Sequence, residues 1–243
     1  KELGCDYIAT GHYARMEEAG GEWKLISSTD DWKDQTYFLF TLRREILKHI
    51  LFPVGHLKKD EVRAIALEKG LSVARKKDST GICFIGPQGY AGFIEERVAP
   101  DLLKPGKLRL YPTGEVIGDH SGIHHFTYGQ RRGLGIAHEK PLYVVQIERA
   151  RNRIIAGEKE ELDSFEFTAR GVNWVAFDEP TEPVRANVKV RYRHEPAPAT
   201  IYALPDARAR IVFDEPQAAI TPGQATVFYD GEETIGGRWI EKN

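Results

Sequence analysis

Apolar and polar positions alternate most regularly between Val184 and Arg193. Val184, Ala186, Val188, Val190 and Tyr192 fall on one face, and Arg185, Asn187, Lys189, Arg191 and Arg193 on the other. A period of two marks a half-buried strand. Helical periods appear nearer the start. Phe38, Leu42, Ile46 and Ile50 recur at steps of four with Leu39 and Leu47 alongside, which predicts one helix. Asp34 is its candidate N-cap, and Pro53 with Gly55 closes it. Lys58 to Lys69 repeats the pattern through Val62, Ile65 and Ala66, with Gly70 as the C′ stop. Asp6–Thr10 is short, apolar and β-prone and stops at Gly11-His12. It predicts a buried parallel strand whose carboxyl end presents a ligand site. Trp23 to Ile26 predicts another strand, bounded by Gly20-Gly21 and Ser27-Ser28.

Beyond Lys76 a short strand is expected from Ile82 to Ile85, then a brief helix around Tyr90, Phe93 and Ile94. From Lys107 onward turn signals follow one another closely: Pro112-Thr113-Gly114, Arg151-Asn152, Pro205-Asp206, Thr221-Pro222-Gly223 and Asp230-Gly231. Such spacing predicts small β-barrels or sandwiches. The expected organisation is an α/β segment over residues 1–95, a small β-rich domain over 96–165, and a second, a β-barrel, over 166–243.

Composition narrows the class. The 243 residues are 41% apolar and 29% charged with a net charge of −2, which excludes a disordered tail and a protein coated in basic charge. Local basic patches remain possible. No apolar run reaches membrane-span length, so no membrane partner is expected. Two cysteines, Cys5 and Cys83, are too few for a disulfide framework and fit a reducing, cytoplasmic setting. Lys1 stands where a methionine would open a chain, and the reading is of a fragment entered in mid-fold.

Several residues carry possible chemistry. Cys83 follows Arg75, Lys76 and Lys77 and has Gly81 and Gly86 on either side. Cationic neighbours favour the reactive thiolate, and glycines permit close approach of a substrate. A small buried residue in an Ile-Cys-Phe-Ile strand is the plainer alternative. Cys5, among acidic and apolar neighbours, reads as structural. Gly11-His12 could touch a phosphate, an adenine or a base, or His12 could only cap the turn. Lys33-Asp34-Gln35 stands at a predicted helix start, where anions are favoured, yet Asp34 could simply cap it. The Arg185, Lys189, Arg191 and Arg193 face could neutralise phosphates or be an ordinary solvated face. His120, His124 and His125 lack a cysteine or carboxylate companion for zinc, so no metal is expected. Gly129-Gln130-Arg131-Arg132-Gly133 could touch phosphate or only join two strands.

Together these segments resemble one family. Ala9-Thr10-Gly11-His12-Tyr13-Ala14-Arg15 resembles its strand-end motif. Lys33-Asp34-Gln35-Thr36-Tyr37-Phe38-Leu39 is similar to its Lys-Asp-Gln-Ser-Tyr-Phe-Leu helix start, with Thr36 for the serine. Lys77 to Gly86 matches its cysteine loop, and Thr127 to Ile136 its Gly-Gln-Arg segment. Arg191-Tyr192-Arg193, Thr221-Pro222-Gly223-Gln224 and Gly236-Gly237 complete the order. The family is the tRNA-specific 2-thiouridylases.

The resemblance implies a Rossmann-like adenine-nucleotide-binding domain, here only its α/β remnant, followed by two small β-rich domains. It implies that ATP, with Mg²⁺, adenylates the C2 oxygen of the wobble uridine and that persulfide sulfur replaces it. Cys83 would carry the persulfide, and Gly11 would line the ATP site. His12, Lys33, Asp34, Gln35, Arg191, Tyr192 and Gln224 would contact tRNA. A sulfur-donor or relay protein is the implied second partner. Arg191 and Tyr192 point to opposite faces of an ideal strand, so both reach RNA only if the strand bends or ends there. The family's Ser-Gly-Gly-x-Asp-Ser loop and first catalytic cysteine do not occur in the chain, so on its own it is expected not to turn over. Two other readings stay in view: an RNA-binding or sulfur-relay module without ATP chemistry, and a pyrophosphate-loop enzyme acting on a small metabolite.

Overall fold

The computed structural model describes residues 4–76, 85–86, 88–100 and 103–241. The chain forms two compact units. The first combines Lys1–Lys77 with Phe165–Glu215 and Thr221–Asn243; the second combines Asp78–Ser164 with Pro216–Ile220.

The first unit opens with β1 (Ile8–Ala9), which pairs in parallel with β4 (Ile50–Leu51). The parallel pairing agrees with expectation, but the expected burial does not. Tyr7, Ile8 and Leu51 are exposed, because a sheet of two two-residue strands cannot cover its own faces. β2 (Ala14–Ala19) and β3 (Glu22–Ser27) form a hairpin across Gly20-Gly21, both at positive φ as a tight hairpin turn requires.

The helix expected from Phe38 to Ile50 is instead broken. α1 covers only Thr36–Leu39, Arg43 is extended, and a 3₁₀ turn follows over Arg44–His49. Gln35, not Asp34, is the N-cap residue. The apolar residues serve more than one neighbour: Leu39 and Leu47 pack with Leu25, Ile50 and Phe52, while Tyr37 and Phe40 pack against a different strand. A single straight helix could not face both. α2 (Lys59–Glu68) forms as expected; Glu61 accepts from the Lys58 N–H, and Gly70 follows at φ +67°.

The C-terminal strands are β9 (Asp163–Trp174), β10 (Val184–Lys189), β11 (Ala197–Leu204), β12 (Arg208–Ala218), β13 (Ala225–Asp230) and β14 (Glu233–Ile240). They close in the order β13-β10-β11-β12-β9-β14, with β14 pairing back to β13. Val188, Ile201, Ile211 and Phe228 are fully buried. β3 pairs with β14 through Ile26 and Glu233, so the N-terminal hairpin extends the barrel's sheet. The strand expected to run to Arg193 stops at Lys189, and residues 190–193 bend into a turn.

In the second unit, α3 (Gly89–Glu95) precedes a four-stranded sheet. Its strands are β5 (Gly106–Leu110), β6 (Val116–His120), β7 (Tyr143–Glu148) and β8 (Arg153–Gly157), in the order β6-β5-β8-β7. Leu108, Leu134, Leu142, Val144, Ile154 and Ala156 form its core.

β13 sets the packing of the first unit, because it is buried on both faces. Thr226 and Phe228 point one way; Ala225, Val227 and Tyr229 point the other, where Tyr37 and Phe40 cover them. Gly237 on β14 permits this approach: a Cβ there would lie 2.6 Å from the Thr226 carbonyl oxygen and 3.1 Å from Phe40 Cβ. Gly237→Ala therefore forces a backbone shift and is expected to destabilise the first unit by about 1–3 kcal/mol in denaturant unfolding. A variant as stable as the wild type would contradict this packing.

Candidate functional site

Three segments far apart in sequence meet around Tyr37. The first is the loop after β1. Here Thr10 Oγ1 lies 2.8 Å from His12 Nδ1, and the His12 ring meets Phe52 edge-on at 6.1 Å. Gly11 is exposed, and a Cβ built on it would meet nothing within 4 Å. Neither backbone conformation nor packing therefore demands a glycine there.

The second segment is Lys33-Asp34-Gln35. Gln35 clamps it to the first: Gln35 Oε1 accepts from Tyr13 N–H and Gln35 N–H donates to Tyr13 O, both at 2.9 Å. The Asp34 carboxylate is buried, accepting from Ser28 N–H at 3.0 Å and from the Thr36 hydroxyl at 2.6 Å. Burial pushes its pKa up, against those two hydrogen bonds and the charge of Lys189. The side chains of Asp34 and Gln35 thus brace the loop from within.

The third segment is the turn after β10. The Tyr192 hydroxyl donates to Asp34 O at 3.1 Å, and its ring packs on Phe38 at 4.6 Å and Tyr37 at 5.8 Å. Arg191 is exposed and close enough to Tyr37 to act on its hydroxyl electrostatically. Because the strand has already ended, Arg191 and Tyr192 are not held to opposite sheet faces. Gln224, exposed, directly precedes Ala225, whose carbonyl accepts from the Tyr37 hydroxyl at 2.7 Å.

Cys83 lies outside the described residues, as does most of the expected strand from Ile82 to Ile85. The basic face of β10 is also less uniform than its sequence suggests. Arg185 forms a two-pronged ion pair with Asp214 of β12, at 2.9 and 2.7 Å, and Lys189 stands over the Tyr229 ring. Of the histidines, His120 is buried against Asn152 O at 3.3 Å. His124 and His125 meet a carboxylate that their spacing could not reveal: Glu95 Oε1, at 2.9 and 3.5 Å from their Nε2 atoms. Sequence reasoning missed Trp32, three-quarters exposed with the Arg193 guanidinium 5.4 Å above its ring. An aromatic isolated in the polar run Asp30-Asp31-Trp32-Lys33-Asp34 was the available signal.

Comparison with known proteins finds similar domains and chains. The family described as tRNA methyl transferase HUP domain matches residues 1–87. The tRNA methyl transferase PRC-barrel domain matches residues 91–158, and the aminomethyltransferase beta-barrel domain residues 164–240. The tRNA-specific 2-thiouridylase MnmA of Nostoc punctiforme is 45% identical over all of this chain and 69% of its own length. The Acetivibrio thermocellus protein of that name is 46% identical over 98% of this chain and 67% of its own length. The one from Symbiobacterium thermophilum is 47% identical over all of this chain and 62% of its own length. The chain belongs to the tRNA-specific 2-thiouridylase family. Its architecture is a Rossmann-like α/β part followed by a PRC-barrel part and a closed β-barrel.

The buried tyrosine cluster has a pH signature. Burial pushes the Tyr37 hydroxyl up to about 12 from the ordinary 10.0, and raises Tyr229 and Tyr192 as well. The unfolded chain would lose these protons first, so folded stability is complete below pH 10 and declines as pH rises towards 12. Tyr37→Phe is expected to flatten that decline in pH-dependent denaturant melts, and an unchanged slope would contradict the cluster's burial.

The Gln35 clamp has a local test. Gln35→Ala leaves the Tyr13 N–H without its acceptor, at a cost of about 1–3 kcal/mol. Amide exchange at Tyr13 should accelerate while the barrel strands keep their protection; slow exchange in the variant would mean the clamp is dispensable.

Proposed function

We infer that the chain is part of an enzyme that replaces the C2 oxygen of a tRNA wobble uridine by sulfur. The observation that supports this reading is the convergence at Tyr37. The glycine-histidine loop, the Lys33-Asp34-Gln35 loop, the Arg191-Tyr192 turn and the Gln224 turn are four distant segments that hydrogen bonds join there.

The chemistry requires activation, because an oxide is a poor leaving group. ATP would transfer AMP to O2 of the uridine with loss of pyrophosphate. The terminal sulfur of a Cys83 persulfide would attack C2 and expel AMP, and a second thiol would then attack the Cys83 sulfur, forming a disulfide and leaving the sulfur on the base. Gly11 suits the nucleotide side of this site because nothing in the fold fills the space beside it. His12, with its ring fixed by Thr10 and Phe52, faces the tRNA in this reading. Lys33 and Arg191 supply cationic contacts to phosphate, and Asp34 and Gln35 hold the loop that carries Lys33. Gln224 contacts RNA, while Tyr192 and Trp32 offer ring faces on which an unstacked base can lie. A persulfide-carrying protein is the sulfur source.

The test is made on the complete gene product with a tRNA transcript, ATP and a persulfide donor, with 2-thiouridine quantified by nucleoside mass spectrometry. Cys83→Ser should abolish the product and Gly11→Ala should raise the KM for ATP without lowering the melting temperature. In native protein, limiting alkylation should label Cys83 ahead of Cys5. Product formation that needs no ATP would favour the sulfur-relay reading, and full activity of Cys83→Ser would overturn the assignment.

A further inference from the structure

The segment Gly129-Gln130-Arg131-Arg132-Gly133-Leu134-Gly135-Ile136 belongs to the second unit and has no part in the site around Tyr37. Gly129, Gly133 and Gly135 have φ of +76°, +81° and +69°, a region that side chains rarely enter. The loop they shape is braced from within. Gln130 Oε1 accepts from Thr127 N–H, and Gln130 Nε2 donates to Arg132 O, both at 2.9 Å. Gly129 N–H donates to Val144 O at 2.8 Å, and Val144 N–H donates to Gln130 O at 2.9 Å, tying the loop to β7. Leu134 anchors it in the core beside Leu108 and Val144.

What this platform presents is Arg131 and Arg132, both exposed. Among the described residues neither guanidinium forms an ion pair, whereas those of Arg15, Arg44, Arg97, Arg185 and Arg210 do. Holding two like charges on adjacent residues of a braced loop is unfavourable until an anion arrives. Beside Arg131 lies a hollow of about 290 Å³, at the small end of the ligand-pocket range. His138, Glu139, Lys140, Leu134 and Leu142 also line it. A guanidinium with apolar side chains beside it suits a nucleobase, which stacks on both.

We propose that this loop and hollow form a second RNA contact, in which Arg131 and Arg132 bind successive backbone phosphates and the hollow takes the neighbouring nucleoside. Two exposed, separately mounted guanidinium groups match a chain of phosphates better than a small free anion, which would call for an enclosing set of donors. The inference rests on the reading of tRNA as substrate.

Binding of a tRNA transcript is measured by fluorescence anisotropy between about 50 and 200 mM salt. For R131Q/R132Q, Kd should rise about tenfold and the slope of log K against log salt should flatten by roughly 1.5, the loss of two phosphate contacts. The melting temperature should not change, because the glycines and the Gln130 brace are untouched. R131K/R132K keeps the charges and should recover most of the slope, which separates lost contact from a damaged loop. Wild-type binding with an unaltered double variant would overturn this contact and leave the tRNA reading intact. A wild-type protein that binds no tRNA would overturn both.

Discussion

A strand buried on both faces needs a cover on each, and β13 is where the first unit meets that demand. One face is filled by the barrel's own interior around Phe228. The other is apolar too, and α1 covers it with Tyr37 and Phe40. The rest of the first unit follows from this. Asn173 on β9 donates to the carbonyls of Phe40 and Leu42, satisfying backbone groups where α1 ends. Phe40 meets Trp239 edge-on, and the Tyr37 hydroxyl takes the Ala225 carbonyl. The α1 segment is thereby fixed to the barrel at both ends of a four-residue helix too short to persist alone.

The polar layer of the same contact ties its residues to one another. Thr36, Tyr229, Asp34 and Tyr192 form a chain in which hydroxyls meet a carboxylate and a carbonyl away from water. Such groups are costly to bury singly and acceptable only as a satisfied set. Replacing any one of them leaves its neighbours short of a partner. Residues that hold the loop in shape and residues that face solvent are consequently adjacent in sequence: Lys33 beside Asp34, Arg191 beside Tyr192, Gln224 beside Ala225. A solvent-facing residue inherits its position from the inward-turned neighbour next to it.

This adjacency decides what could be read from the sequence. Strand alternation from Val184 was legible because one partner layer, the barrel core, sets its period. The step of four through Phe38, Leu42, Ile46 and Ile50 misled because only Leu42 and Ile50 reach the core around Leu25, whereas Phe38 and Ile46 are exposed, so the period did not mark one buried face. Arg185 looked like part of a cationic row since its partner Asp214 lies two strands away across β11. The hairpin's first strand, from Ala14 to Ala19, was overlooked because its outer half, Glu17-Glu18, is exposed and carries no apolar signal. Which residues of the Lys33-Asp34-Gln35 and Arg191-Tyr192 segments are turned inward was not legible, since that depends on partners distant in sequence such as Ser28 and Tyr13.

The distribution of charge carries the argument a step further. A net charge of −2 gives a polyanion no general attraction to this chain, so affinity for RNA must come from cations that the fold leaves uncompensated at chosen places. Much of the arginine is already committed to carboxylates: Arg15 to Glu17 and Glu232, Arg44 to Asp178, Arg185 to Asp214. These pairs lie near the surface and contribute little stability each. Each also neutralises the positive charge of its arginine. Among the described residues Arg131 and Arg132 form no ion pair, and they stand on a loop whose shape is fixed by glycine and Gln130. In the proposed reading, recognition of a folded RNA depends less on how many cations the chain has than on which ones its own carboxylates leave unpaired.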